Sequence, residues 1–246
     1  TDTAVAAATD FTSLDDLVAA YSNLTAATNA DLTDFAVTSA VDVVAMTAAN
    51  DTVNGTDATI DANDVIVDNS STDSDTLNLS GSAFATAIDT TGSTIRGIET
   101  INVVFDSLTQ STFTAAGVGS PTTINVSQGR AGGSDDIIVA TAPDGSTITV
   151  GAGVNNLTVN AMANAADLTV NGEAATGAMT ADLATTGVLN LTANSAANID
   201  VSTATGNATV AAAAATVIDV ETTSGDISIT NGADANIDAD STAADD

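Results

Sequence analysis

Six aspartates, Asp57, Asp61, Asp64, Asp68, Asp73 and Asp75, fall within nineteen residues, with Asp51, Asn50, Asn54, Asn63 and Asn69 beside or among them. Carboxylates at this density repel one another unless a counterion sits between them. A hard divalent cation served by six to eight oxygens suits such a set of carboxylates, amide oxygens and turn carbonyls. Calcium is therefore the expected ligand, with Asp51, Asp57, Asp61, Asp64, Asp68, Asp73 and Asp75 as candidate donors. Asp135 and Asp136, following Gly132 and Gly133, form a smaller candidate, and Asp226, Asp234, Asp238 and Asp240 a terminal one. The competing reading is that these side chains cap turns and solvate an acidic surface.

The residue inventory removes most other chemistry. With no Cys and no His, the chain has no disulfides, no zinc site of the usual kind, no thiol nucleophile and no imidazole-based triad. Paired carboxylates acting as a glycosidase need a cleft with aromatic platforms for sugar rings, and this chain has no Trp and one Tyr. Lyase chemistry on a polysaccharide wants cations near the carboxylates, and only Arg96 and Arg130 are available. Those two face 32 acidic residues, a formal net charge of -30, which repels phosphate backbones and anionic membrane surfaces. No nucleic-acid partner is expected. No run of 18 apolar residues exists to span a membrane as a helix. The expectation is a protein that is not an enzyme.

The elements that must hold these aspartates are written as a repeat. Ile148-Thr149-Val150, Leu157-Thr158-Val159, Leu168-Thr169-Val170, Leu189-Asn190-Leu191, Ile199-Asp200-Val201, Ala208-Thr209-Val210, Ile218-Asp219-Val220, Ile227-Ser228-Ile229 and Ile237-Asp238-Ala239 all run apolar, polar, apolar. A strand this short cannot bury its apolar side alone, so recurrence at about ten residues implies stacking on its neighbours. The expected fold is mainly all-β, an elongated parallel β-solenoid with about ten residues per strand and corner. Two strands and two corners make a rung of roughly twenty residues, rising about 4.8 Å. An antiparallel β-sandwich is the alternative, disfavoured because the strands are short and uniform. Aromatics supply only 2% of the chain, which suits thin layers of Ala, Val, Ile and Leu.

Three segments are expected. Residues 1–48 carry a short helix, with Leu14, Leu17, Val18, Tyr21 and Leu24 at three- and four-residue spacings, and a connecting stretch that leans towards strand. Residues 49–121 form an Asp-rich β region, and residues 122–246 the repetitive solenoid. Thr1 is not preceded by an initiator Met or a basic leader, so the chain reads as a processed or partial piece of a longer polypeptide.

Residues 48–81, AANDTVNGTDATIDANDVIVDNSSTDSDTLNLSG, and 97–105, GIETINVVF, carry a family likeness. Their Asn-Asp-Thr turn, Asp-Thr-Leu strand and Gly-Ile-Glu-Thr strand resemble the pattern of calcium-dependent surface-layer (S-layer) proteins of Gram-negative bacteria and related RTX-type exported proteins. The glycine-rich nonapeptide of the RTX calcium roll is absent, AGGSDDIIV at 131–139 being a degenerate echo. The resemblance implies export, calcium at strand corners, and assembly with copies of the same chain outside the cell. The expected function is thus a secreted structural protein forming a calcium-stabilised layer or filament at the bacterial cell surface, with cell-surface polysaccharide as a further partner. A monomeric adhesin or biofilm-matrix stalk is the alternative.

Overall fold

The computed structural model describes residues 34–119, 122–129, 136–161, 167–183, 187–203, 206–232 and 234–241. The expected helix around Leu14–Leu24 lies outside them. Every strand pairing among the described residues is parallel, which excludes the sandwich alternative and makes the fold a β-solenoid.

Three sheets wrap one core. The first has ten strands in chain order: Asp34–Ala36, Thr52–Thr56, Thr76–Ser80, Thr100–Phe105, Thr123–Gln128, Thr147–Val150, Leu168–Asn171, Leu189–Thr192, Ala208–Ala211 and Ile227–Thr230. The second has eight: Ala87–Asp89, Ser111–Thr114, Asp136–Ala142, Asn156–Ala161, Ala178–Leu183, Asn198–Thr203, Val217–Thr222 and Asn236–Ser241. A third, of three strands only, joins Val43–Ala45, Val65–Val67 and Thr94–Arg96. It is extended by a single bridge from Ile95 to Val118.

The stacking therefore starts well before the triplets after residue 147 that announce it. In the N-terminal part Thr52 pairs with Thr76 and Thr76 with Thr100, an offset of 24 residues each time. Further on Leu189 pairs with Ala208, an offset of 19. The coil of about twenty residues expected from the triplets thus describes the C-terminal part. The N-terminal coils are longer because they turn three corners. The change in cross-section falls after Val118, next to the expected boundary at 121/122, yet the first sheet runs through that boundary without a break, Thr100 pairing with Thr123.

Alternation explains the interior. In Thr76–Ser80 the Leu77 and Leu79 side chains are buried while Thr76 and Asn78 face outward, and Thr100–Phe105 repeats this with Ile101, Val103 and Phe105 inside. Register then stacks like on like: Val53, Leu77, Ile101, Ile124 and Ile148 form one interior column. Each fully buried Leu or Ile contributes about 2 kcal/mol of transfer free energy, available only once the next coil covers it. The core narrows along the chain. Phe105 and Phe113 fill it in the N-terminal half, whereas Ala193, Ala196, Ala212 and Ala215 line the corners further on. Among the described residues no helix is long and apolar enough to cross a membrane.

Candidate metal centre

One corner of the solenoid turns from the third sheet into the first, between Val67 and Thr76. Asp68 stands at its entry, Asp75 at its exit, and Asp73 between them. An oxygen from each of the three carboxylates lies within 4.8 Å of one from each of the others. Asp68 and Asp75 are buried, and Asp73 is half-buried. The loop has room for this convergence because it spans eight residues, 68 to 75, where the next coil makes the same turn in three, 97 to 99.

Backbone contacts hold each group in place. The Asp68 N–H donates to the Arg96 carbonyl at 3.0 Å, and its carboxylate accepts from the Ser70 N–H at 2.5 Å. Gly97, at φ +71°, brings the next coil against this point, where a Cβ would stand 2.4 Å from the Asp68 carbonyl oxygen. Only glycine fits there. Asp75 Oδ1 accepts from the Asp51 N–H at 2.8 Å, and the Asp75 N–H donates to Glu99 Oε2 at 2.8 Å. Asp75 Oδ2 and Asp73 Oδ2 are buried and have no hydrogen-bond partner.

The electrostatics follow. Burial pushes the Asp75 carboxyl up to about 7, and the charges of Asp68, Asp73 and Asp51 add to the rise, against the Asp51 N–H that favours the anion. Asp68 is raised by burial and then by Asp73 and Glu99, with the Ser70 and Asn69 N–H groups opposing. Three carboxylates with two orphaned buried oxygens are an arrangement that a divalent cation relieves, because it replaces lost hydration and cancels the repulsion together. The cluster can hold a metal ion through Asp68, Asp73 and Asp75.

Several of the other candidates make contacts that hold the coils. Asp51 accepts from the Thr47 N–H and hydroxyl. Asp64 is buried and accepts from the Asp42 N–H at 2.8 Å and the Asp61 N–H at 2.7 Å, so Asp61 serves through its backbone. Asp57 clamps the next coil, accepting from the Ser82 N–H at 2.6 Å and hydroxyl at 2.9 Å. Asp136 accepts from the Asn156 amide at 2.5 Å. Asp135 lies outside the described residues. In the terminal group, Asp238 and Asp240 align with Asp219 and Glu221 on the outer face of the second sheet, and Asp219 is raised by burial and by Asp200, Asp238 and Asp240.

Two ladders escaped the sequence reading. Asp51, Asp75 and Glu99 occupy one position on successive coils, each N–H of the first two capped by the carboxylate of the next coil. Three residues on, the amides of Asn54, Asn78, Asn102 and Asn125 form a chain: Asn78 donates to Asn54 at 3.0 Å, Asn102 to Asn78 at 2.9 Å, and Asn125 to Asn102 at 2.9 Å. The signal was present as Asp51-Thr52-Val53-Asn54, Asp75-Thr76-Leu77-Asn78, Glu99-Thr100-Ile101-Asn102 and Thr122-Thr123-Ile124-Asn125. Comparison with protein-family models, curated proteins and solved structures found no match to this chain.

Proposed function

We propose that this chain is a non-enzymatic structural protein that works outside the cell, assembling with its own copies into a calcium-stabilised layer or filament. The observation that carries the reading is the corner cluster of Asp68, Asp73 and Asp75, with two buried oxygens left without partners, in a chain of net charge -30. Its donors are all hard oxygens in a loop rather than a rigid cage, which favours calcium over magnesium, since magnesium demands near-ideal octahedral geometry. Calcium also neutralises carboxylates that would hold copies apart. The resemblance of residues 48–105 to S-layer and RTX-type proteins points the same way.

The test is electron microscopy and sedimentation of the purified chain with calcium and then with EGTA. Ordered polymers that dissolve on chelation support the proposal. Monomers indifferent to calcium refute it and favour the stalk.

A further inference from the structure

The outer face of the ten-stranded sheet differs from the rest of this acidic molecule. From Thr52–Thr56 to Ile227–Thr230, nine strands, no outward position carries a charge. One row reads Thr52, Thr76, Thr100, Thr123, Thr147, Thr169, and continues through Asn190 and Thr209 to Ser228. The row beside it holds the asparagine ladder and then Thr149, Asn171, Thr192, Ala211 and Thr230. The opposite face is the reverse. Its last four strands carry Asp182, Asp200, Asp219, Glu221, Asp238 and Asp240, with Asp200, Asp219 and Asp238 directly in register.

Thirty-two acidic residues in 246 make a nine-strand face without charge a constraint on what meets it. We infer that this face is where a second copy of the chain docks, face to face. The inference deepens the self-assembly reading and rests on it. Two particles of net charge -30 repel least where neither presents a carboxylate. The repeat also matches without adjustment, because both faces rise by the same coil spacing of about 4.8 Å. The two middle amides of the ladder, Asn78 and Asn102, each spend one N–H and one oxygen lone pair along the column, keeping another donor and acceptor for the facing copy. At the N-terminal end the face opens into a shallow groove over Gly55 and Leu79, edged by Asn54, Asn78, Asn102 and Val104, with Val104 exposed. No aromatic side chain stands at the outward positions of these nine strands, and this disfavours a sugar chain as the occupant.

The size of the face sets the strength of the contact. Eight inter-strand steps of about 4.8 Å give a length of about 38 Å, and two or three outward positions a width of about 10 Å. A pair then buries roughly 800 Å² in total, below the roughly 1,200 Å² of a stable complex. One pair is weak; a polymer that repeats the contact gains by multivalency.

The experiment uses the full chain and two double variants of equal charge. Thr149→Glu with Thr192→Glu places carboxylates on this face. Thr112→Glu with Thr158→Glu places them on the opposite sheet, also outward and likewise two strands apart. Far-UV circular dichroism checks that each retains the wild-type fold. Association in calcium is followed by sedimentation velocity over a concentration series, and lateral order by electron microscopy. We expect at least tenfold weaker association and loss of lateral order for the first variant, and wild-type behaviour for the second. If the first variant associates as wild type does, or both weaken equally, the docking face is overturned while self-assembly stands. A wild-type chain that never associates overturns both. Retention of wild type but not the first variant on insoluble cellulose, with association unchanged, assigns the face to a neutral glycan and overturns the pairing.

Discussion

Replacing Asp75 with Asn reverses sign with calcium. In the metal-free chain the substitution removes a buried anion whose carboxyl is raised from 3.8 to about 7. It keeps an oxygen for the Asp51 N–H and turns an amide towards Asp68 and Asp73. A carboxyl raised from 3.8 to about 7 corresponds to about 4 kcal/mol for a group wholly cut off from water, and solvent screening around the corner loop reduces it to about 2 kcal/mol. Asp75→Asn therefore melts about 4–8 °C above wild type in EGTA at pH 8. Calcium bound at this corner is expected to stabilise the wild type by RT ln(1 + [L]/Kd), about 2.7 kcal/mol at a hundredfold excess over Kd and about 4.1 at a thousandfold. The variant, short of one ligand, gains little. The two stabilities cross near a free calcium of roughly thirty times the wild-type Kd. Thermal melts across a calcium titration, with hydrogen exchange at residues 51–100 as the local readout, measure this. A variant less stable than wild type in EGTA, or parallel calcium dependences, would refute the reasoning.

The pH dependence of the metal-free chain has a defined sign. Because Asp75 titrates higher in the folded chain than when unfolded, the native state binds the extra proton between about pH 4 and 7, so stability falls as pH rises through that window and stays low above it. Melting temperature in EGTA is expected to be higher at pH 5 than at pH 8, a difference that Asp75→Asn flattens. Asn102→Ala breaks the amide chain on both sides, leaving Asn78 Oδ1 without its donor and Asn125 Nδ2 without its acceptor. It costs about 1–2 kcal/mol by urea denaturation, against about 0.5 for the exposed ladder end in Asn54→Ala. Gly97→Ala must move a Cβ off the Asp68 carbonyl and hold an unfavourable φ, costing more than about 2 kcal/mol and displacing Asp68, so the rise in melting temperature with calcium expected for wild type is lost.

The solenoid was legible because its rule is local. An apolar-polar-apolar triplet decides which side of a strand is dry, and Leu189-Asn190-Leu191 or Ile218-Asp219-Val220 needs no distant partner to state it. The same rule underread the N-terminal half, where longer corners and the brief Val43–Ala45, Val65–Val67 and Thr94–Arg96 strands break the even ten-residue beat. The candidate metal centre was legible as a composition and not as a set. Asp57, Asp61 and Asp64 look no different from Asp68, Asp73 and Asp75 along the chain, yet the Asp57 carboxylate binds the following coil, the Asp64 carboxylate binds the preceding coil and its own turn, and Asp61 joins that turn through its backbone.

Residue types alone settled the exclusion of thiol and imidazole chemistry, the oxygen-only donor set, the acid excess and the short half-dry strands. Tertiary structure decided which oxygens meet. Parallel stacking places residues 23 or 24 apart in sequence one strand spacing apart in space, so Asp51, Asp75 and Glu99 become neighbours, and so do the four asparagines. It also decided that one sheet turns nine uncharged strands outward, while acid gathers on the last four strands of the other. Register transmits a side chain's direction from coil to coil, and register is a property of pairing that no single stretch of sequence contains.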